Sequence, residues 1–194
     1  MSSKLVEILS AIRPISERFR EAIQNEVMPM QIPKGHYLLQ APKVAVHIYF
    51  LESGFVMCYS FYKGKKQVES FWRSGQVILL SKSFFDRVPS EEFLQVAVSS
   101  EVLYISYAGM QRLFSKFADA HPIIRSLLHE QVAGWREQVN DLKHLSAGDR
   151  FEKLIATYPQ IEQAISQEDI ASYLHITPQS LSRIKRNKNS GNIR

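Results

Sequence analysis

Cysteine occurs once in the 194 residues, as Cys58. A single thiol excludes an intramolecular disulfide and supplies too few thiolates for a four-cysteine zinc or iron–sulfur site. The six histidines, at positions 36, 47, 121, 129, 144 and 175, include no His-x-His pair, and only His36 and His47 fall in the strand-rich part of the chain. A metal-dependent cupin-like enzyme, the main rival from another functional class, needs clustered histidines with a carboxylate, so no metal ligand set is assigned. No apolar run approaches the roughly 18 residues of a membrane span, and the first seven residues lack the apolar centre of a signal peptide. The expectation is a cytoplasmic protein without membrane contact. A phosphate-cradling glycine loop, a Ser-His-Asp order and a paired-acid motif are likewise missing, so no catalytic residue is assigned and the chain is not expected to be an enzyme.

What is present is an ordinary globular composition, 45% hydrophobic and 22% charged, enough for one sizeable core and a smaller one. Lysine and arginine exceed the acids by five. From Arg183 onward stand Arg183, Lys185, Arg186, Lys188 and Arg194 with no acidic residue. Such a run is a solvated tail in most settings. Beside a recognition element it neutralises phosphates.

The stretch Ser166 to Arg186 carries the most information. Ser166 and Asp169 mark a helix start, an oxygen acceptor followed by a negative charge in the first turn. Ile170, Ala171 and Leu174 fall on one face, with the small Ala171 leaving room for a crossing helix. Thr177 before Pro178 is a second start, because proline at the first helical position loses no hydrogen bond. Leu181 and Ile184 then face back onto the first helix, with His175, Ile176 and Thr177 between the two. Gln179, Ser180, Ser182, Arg183 and Arg186 are left outward. Glutamine pairs bidentately with adenine, arginine with guanine, and hydroxyls with phosphate oxygens, so this face matches double-stranded DNA. A helical hairpin with a merely solvated polar face is the bland alternative. The small residue, turn length, proline start and basic run coincide within 21 residues and favour a helix-turn-helix.

Upstream, Met28–Ile32, His36–Gln40, Val44–Leu51, Phe55–Tyr62, Lys65–Trp72, Gln76–Leu80, Phe93–Ser99 and Val102–Tyr107 are short, rich in β-branched and aromatic residues, and bounded by turn signals. Eight strands predict an antiparallel jelly roll, with turns at Lys34-Gly35, Glu52-Ser53-Gly54, Lys63-Gly64 and Ser74-Gly75. Residues 3–11 and 14–25 have helical periodicity, as do 108–118. The stretch 122–145 places Leu128, Val132, Trp135, Val139 and Leu142 at spacings of four and three, the seam of a two-stranded coiled coil, or equally a stripe that packs on the chain's own roll. Ser146 caps a further helix ended by Pro159.

The segment from Ile170 to Arg183 resembles the DNA-binding motif of the Crp/Fnr transcription regulators, in the form seen in Bacteroidetes-type members. The run from His47 to Val56, the hairpin at Lys63-Gly64 and the Ser-Gly after Arg73 are similar to the β-roll of cyclic nucleotide-binding domains. The resemblance implies an α+β chain: a sensor roll with N-terminal helices over 1–118, a dimerisation helix over 119–145 and a helix-turn-helix domain over 146–194, winged-helix-like with a shortened wing. It implies a homodimer on a palindromic site, with Gln179 and Arg183 on base edges and Gln167, Thr177 and Ser180 on phosphates. Ser182, Lys185 and Arg186 complete the expected DNA-binding set. RNA polymerase is a further implied partner. The long helix becomes the dimer helix, and the single cysteine removes the oxygen-sensing branch that carries an iron–sulfur cluster.

The chain departs from the family in three places. Pro178 stands where some members have a base-reading arginine, and His175 stands where the turn usually has glycine. The phosphate cassette of the roll, a Gly-Glu-Leu run followed by an Arg-Ser or Arg-Thr pair, is replaced by Gln76–Leu80 and, later, Glu92–Gln95. The expectation is therefore no cyclic AMP cofactor, with Arg87 a surface charge, and an unidentified small-molecule effector in a pocket of Phe71, Trp72, Arg73, Ser81, Ser83, Phe84, Phe85 and Gln95. Rings at strand spacing that simply fill the roll are the alternative. A dimeric interaction module that no longer binds DNA is the third functional reading.

Overall fold

The computed structural model describes residues 3–191. Helices α1 (Ser3–Ile12) and α2 (Glu17–Glu26) come first, and Ser16 caps α2 by accepting from the Phe19 amide. Six antiparallel strands follow: β1 (Met28–Ile32), β2 (Tyr37–Leu39), β3 (His47–Tyr62), β4 (Lys65–Arg73), β5 (Val77–Ile78) and β6 (Phe93–Ser106). Their order is β1-β6-β3-β4, with β2 added to β6 and β5 to β3. This is the antiparallel roll expected from the sequence, with six strands in place of eight.

The count differs because two expected reversals do not occur. Glu52-Ser53-Gly54 is a register shift inside one 16-residue strand, and the β6 segment opposite it runs on in the same way. Gly54, at φ +102°, lets the two backbones touch: a Cβ there would lie 2.1 Å from the Ser100 hydroxyl oxygen. That hydroxyl accepts from the Phe55 amide at 3.2 Å and donates to the Val98 carbonyl at 2.6 Å, pairing groups the irregularity leaves over. The glycine thus supplies close approach rather than a turn.

Helix α3 (Ser81–Asp86), not anticipated from the sequence, lies in the replaced cassette. Helix α4 (Tyr107–Lys116) leads out of the roll, and α5 (Ala120–His144) is the longest element. Four helices complete the described chain: α6 (Ala147–Thr157), α7 (Ile161–Ala164), α8 (Gln167–Tyr173) and α9 (Pro178–Gly191). The residues after Gly191, including Arg194 of the basic run, lie outside the described part, as does whatever wing they contribute to.

Between Phe55 and Tyr59 the side chains of β3 alternate between two apolar cores. Val56 and Cys58 point into the roll, where they join α1, α2, α4 and the first turns of α5. Phe55, Met57 and Tyr59 point the other way, joining Val68 and Phe71 of β4 with Phe151, Leu154, Ile161, Ile170, Leu174 and Leu181 of the C-terminal helices. The helical end of the chain therefore shares a core with the outer face of the roll.

Helix α5 buries apolar side chains on the roll in its first half and leaves an apolar stripe exposed in its second. Ala120, Ile123 and Ile124 are buried in the first core, and Leu127 and Leu128 pack against it. Beyond them Val132, Trp135, Val139 and Leu142 are 58%, 50%, 47% and 37% exposed, an apolar stripe with no cover in the single chain. Leu128, counted in the seam from spacing alone, belongs partly to the protomer's own core.

Candidate DNA-reading head and its attachment to the roll

The helix-turn-helix forms as its residues dictate. The Ser166 hydroxyl accepts from the Asp169 amide at 3.1 Å, and the Thr177 hydroxyl accepts from the Ser180 amide at the same distance. Ile170, Ala171, Leu174 and Leu181 are buried, and Ile184 is half-buried against them. His175 adopts the left-handed backbone at φ +54° that the turn requires. Four residues, 174–177, separate the helices, one more than the sequence suggested.

Gln179, Ser182, Arg183 and Arg186 lie on one exposed face of α9. Among the described residues no hydrogen bond or ion pair holds the side chains of Gln179, Ser182 or Arg183. The reading surface is thus open to solvent and does not pack on the roll. Ser180 is half-buried, its hydroxyl 3.0 Å from that of Thr177. Lys185 departs from the expected role: it turns inward to ion-pair with Glu162 and donates to the Gln167 side chain at 3.2 Å, bracing α7, α8 and α9 together. Gln167 is therefore engaged on its carbonyl oxygen.

How the head is held depends on β4, the last strand of the sheet, whose outer edge no strand covers among the described residues. An uncovered edge leaves peptide groups unpaired. Here side chains from three helices take them up. The Ser172 hydroxyl of α8 accepts from the Val68 amide at 3.0 Å and donates to the Lys66 carbonyl at 3.2 Å. The phenol of Tyr158, the residue capping α6, donates to the Phe71 carbonyl at 3.2 Å, and Gln138 of α5 to the Glu69 carbonyl at 3.4 Å. Lys66 adds an ion pair to Asp169 at 2.7 Å, and Tyr173 packs its ring 4.8 Å from that of Phe71. Burial pushes the Tyr173 phenol up to about 12, so it stays neutral.

Helix α6 is the joint between α5 and the head. Lys153 reaches both Glu137 and Asp141 of α5, at 2.7 and 2.6 Å, and its hydrogen bond to Asp141 before all else holds its ammonium above the usual lysine range. Arg150 donates to the Leu145 carbonyl at 2.8 Å and to the Leu174 carbonyl at 3.0 Å, tying the end of α5 to the end of α8. None of Ser172, Tyr158, Gln138 and Arg150 stood out in the sequence. The partners of Ser172, Tyr158 and Gln138 are backbone groups far along the chain, and no local pattern announces such a bond.

The eight residues expected to form an effector pocket do not converge. Ser83 is buried and structural, accepting from the Ala45 amide at 2.9 Å and donating to the Val88 carbonyl at 2.7 Å. Phe84 is fully buried with Phe85 edge-on at 5.2 Å, and Gln95 donates to the Gly35 carbonyl at 3.2 Å. Arg73 is exposed, and Ser81 opens α3. The rings fill the roll because aromatic burial there is worth more than an empty site. Only Phe71 and Trp72 line a large space. That space is an open cleft of about 640 Å³ between α1, β4, β5, α5, α6 and α8, whose walls also include Trp135, Leu142, Arg150, Lys153 and Tyr173.

Arg87 is exposed but tethered: it donates to the Ala45 carbonyl at 2.7 Å and lies 4.4 Å over the Tyr107 ring. Where the cassette would set a guanidinium, Glu92 points to Cys58 at 3.8 Å, and burial followed by the nearby Glu69 charge holds its carboxyl above the usual range. Burial also pushes the Cys58 thiol well up, so it is not a nucleophile. No group of three or more metal-binding side chains occurs among the described residues, and no helix there is long and apolar enough to cross a membrane.

No protein-family model and no curated protein sequence matches the chain. Solved structures do. The c-di-GMP-responsive global regulator CLP of Xanthomonas campestris superposes with a TM-score of 0.71 at 16% identity, covering 92% of this chain and 94% of its own. FixK2 of Bradyrhizobium japonicum gives 0.72 at 16% identity, covering 86% of both chains. A transcriptional regulator of the Crp/Fnr family from Eubacterium rectale gives 0.73 at 14%, covering 91% of this chain and 85% of its own. The chain has the fold of the Crp/Fnr regulators over nearly its whole length, from the β-roll to the helix-turn-helix.

Proposed function

We propose that the chain is a sequence-specific, homodimeric DNA-binding regulator of the Crp/Fnr type. The observation that carries this reading is the exposed row Gln179, Ser182, Arg183 and Arg186 on α9, held outward by a head whose opposite side is cemented to the roll. A recognition helix enters the major groove with such a face, and the first helix of the motif crosses the backbone. The uncovered stripe on α5 supplies the second copy: two heads spaced about 34 Å apart reach successive major grooves on one side of the duplex. Two weak half-site contacts then act as one strong one.

Cyclic AMP is not the effector in this reading. Its phosphate would find no guanidinium at the cassette position, where the acid Glu92 stands instead, and a phosphate left without that charge-assisted partner is held weakly. The cleft bounded by Trp72, Trp135 and Tyr173 is the place where a small molecule touches roll, dimer helix and head together, which is what differential stabilisation of two dimer states needs.

Selection of sites from random duplex DNA tests the reading, the expected product being a two-fold symmetric sequence. Arg183→Ala is then expected to cost about 1–3 kcal/mol and to relax discrimination at one position of each half-site. An equal loss on every sequence removes Arg183 from base reading, and no selected sequence at all overturns the proposal.

A further inference from the structure

The hairpin joining β3 to β4 carries Lys63, Lys65 and Lys66 within four residues, and no acidic residue occurs between Tyr59 and Val68. Lys66 is committed, to Asp169 and to the face of the Tyr59 ring at 4.3 Å. Lys63 and Lys65 are exposed, and among the described residues no carboxylate pairs with either. The hairpin is braced rather than loose. Phe61 sits edge-on against Tyr59 and Phe93, each at 5.7 Å, and Tyr59 stacks on Phe93 at 5.0 Å.

Its direction follows from the contacts to α8. Lys66 meets Asp169 and Ser172, while Phe71 meets Tyr173, so strand and helix run side by side in the same sense. Tracing β4 back from Lys66 reaches Lys65, Gly64 and Lys63. Tracing α8 back from Asp169 reaches its first residue, Gln167, in about 3 Å, whereas three residues of strand span about 10 Å. The tip of the hairpin therefore lies beyond the beginning of the helix that, in this motif, crosses the phosphate backbone. Lys63 lies over the Tyr62 ring at 5.4 Å, and ammonium groups with no carboxylate partner among the described residues, continuing a DNA-facing surface, are matched in charge to duplex phosphates.

Resting on the DNA-binding reading above, we infer that the β3–β4 hairpin is part of the DNA interface, with Lys63 and Lys65 of each protomer laid against backbone phosphates flanking the base-read half-site. The roll itself then grips DNA, and the contact is blind to sequence.

The test is equilibrium binding of the full-length dimer to its selected site and to a mismatched duplex across a salt series, for the wild type and for Lys63→Asn/Lys65→Gln. Asparagine is chosen at 63 because that residue sits at φ +50°, which asparagine tolerates. Loss of two phosphate contacts per protomer should make the slope of log K against log salt shallower by about 3.6 for the dimer and weaken binding to both duplexes by at least about tenfold at 0.15 M salt, leaving their ratio unchanged. A variant with wild-type slope and affinity overturns the inference, as does a change in the ratio alone or a variant defective only in holding another protein on the DNA. Wild-type protein that selects no site sinks the regulator reading as well, so the two failures are told apart.

Discussion

Replacing Ser172 by alanine removes a single oxygen and unpairs two peptide groups on the edge of β4. The Val68 amide belongs to a residue 2% exposed and loses its acceptor at 3.0 Å; the half-buried Lys66 carbonyl loses its donor at 3.2 Å. An unsatisfied buried group costs about 1–3 kcal/mol, whereas one that water can reach costs little. The first applies to Val68 and the second largely to Lys66, so the expected loss is about 2 kcal/mol. At this chain length each kilocalorie lowers the melting temperature by about 2–4 °C, giving a fall of about 4–8 °C. Denaturant unfolding gives the free energy, and amide hydrogen exchange locates it: the Val68 amide, protected in the wild type, should exchange much faster in Ser172→Ala. A loss under about 0.5 kcal/mol with unchanged protection at Val68 would refute the claim that this hydroxyl closes the sheet edge.

Val132→Asp combined with Val139→Asp places charges in the uncovered stripe of α5 and should leave the protein folded but monomeric by sedimentation at micromolar concentration, since each buried valine contributes about 1.5–3 kcal/mol; persistence of the dimer would move the interface elsewhere. Gly54→Ala drives a methyl to 2.1 Å from Ser100 at a backbone angle alanine avoids, and should cost more than about 3 kcal/mol in urea unfolding or prevent folding. Glu92, its carboxyl raised by burial, holds its proton in the folded state where the unfolded chain has already lost it, so stability falls as pH rises above the usual carboxylate range. Glu92→Gln should therefore stabilise the protein at pH 8 and not at pH 4, and parallel stability–pH curves for variant and wild type would count against a buried acid.

What the sequence disclosed and what it hid divide along one physical line. Caps, turns and periodicity are local, and they placed Ser166, Thr177, the α9 face and the α5 stripe. The fold class followed from strand count and order even though two strands were split in excess, because Ser53-Gly54 has the composition of a turn whether it reverses the chain or lets Ser100 approach. The effector pocket failed for a different reason. Phe71 and Trp72 are neighbours in sequence, as are Phe84 and Phe85, but strand alternation turns Phe71 outward to the C-terminal helices and Trp72 toward the roll core, while α3 buries Phe84 within the roll. The bonds that fasten the head bridge long stretches of chain, more than a hundred positions for Ser172 to Val68. No window of sequence contains both partners.

That fastening constrains how the proposed regulator can be switched. Detaching the head from the roll would expose Phe55, Met57, Val68 and Phe71 together, and at about 1.5–3 kcal/mol each the cost exceeds about 6 kcal/mol before any edge bond is counted. Moving a two-state equilibrium from 1:99 to 99:1 already takes about 5.5 kcal/mol of differential ligand affinity, so a head that swings off its own roll is a poor switch. The freedom lies at α5 instead. Trp135 and Leu142 face the cleft on one side and the uncovered stripe on the other. A molecule filling the cleft presses on the same two side chains that a second copy must pack against. In the proposed regulator the switch is then a change in the angle between two copies, each carrying roll, hairpin and reading helix as one body.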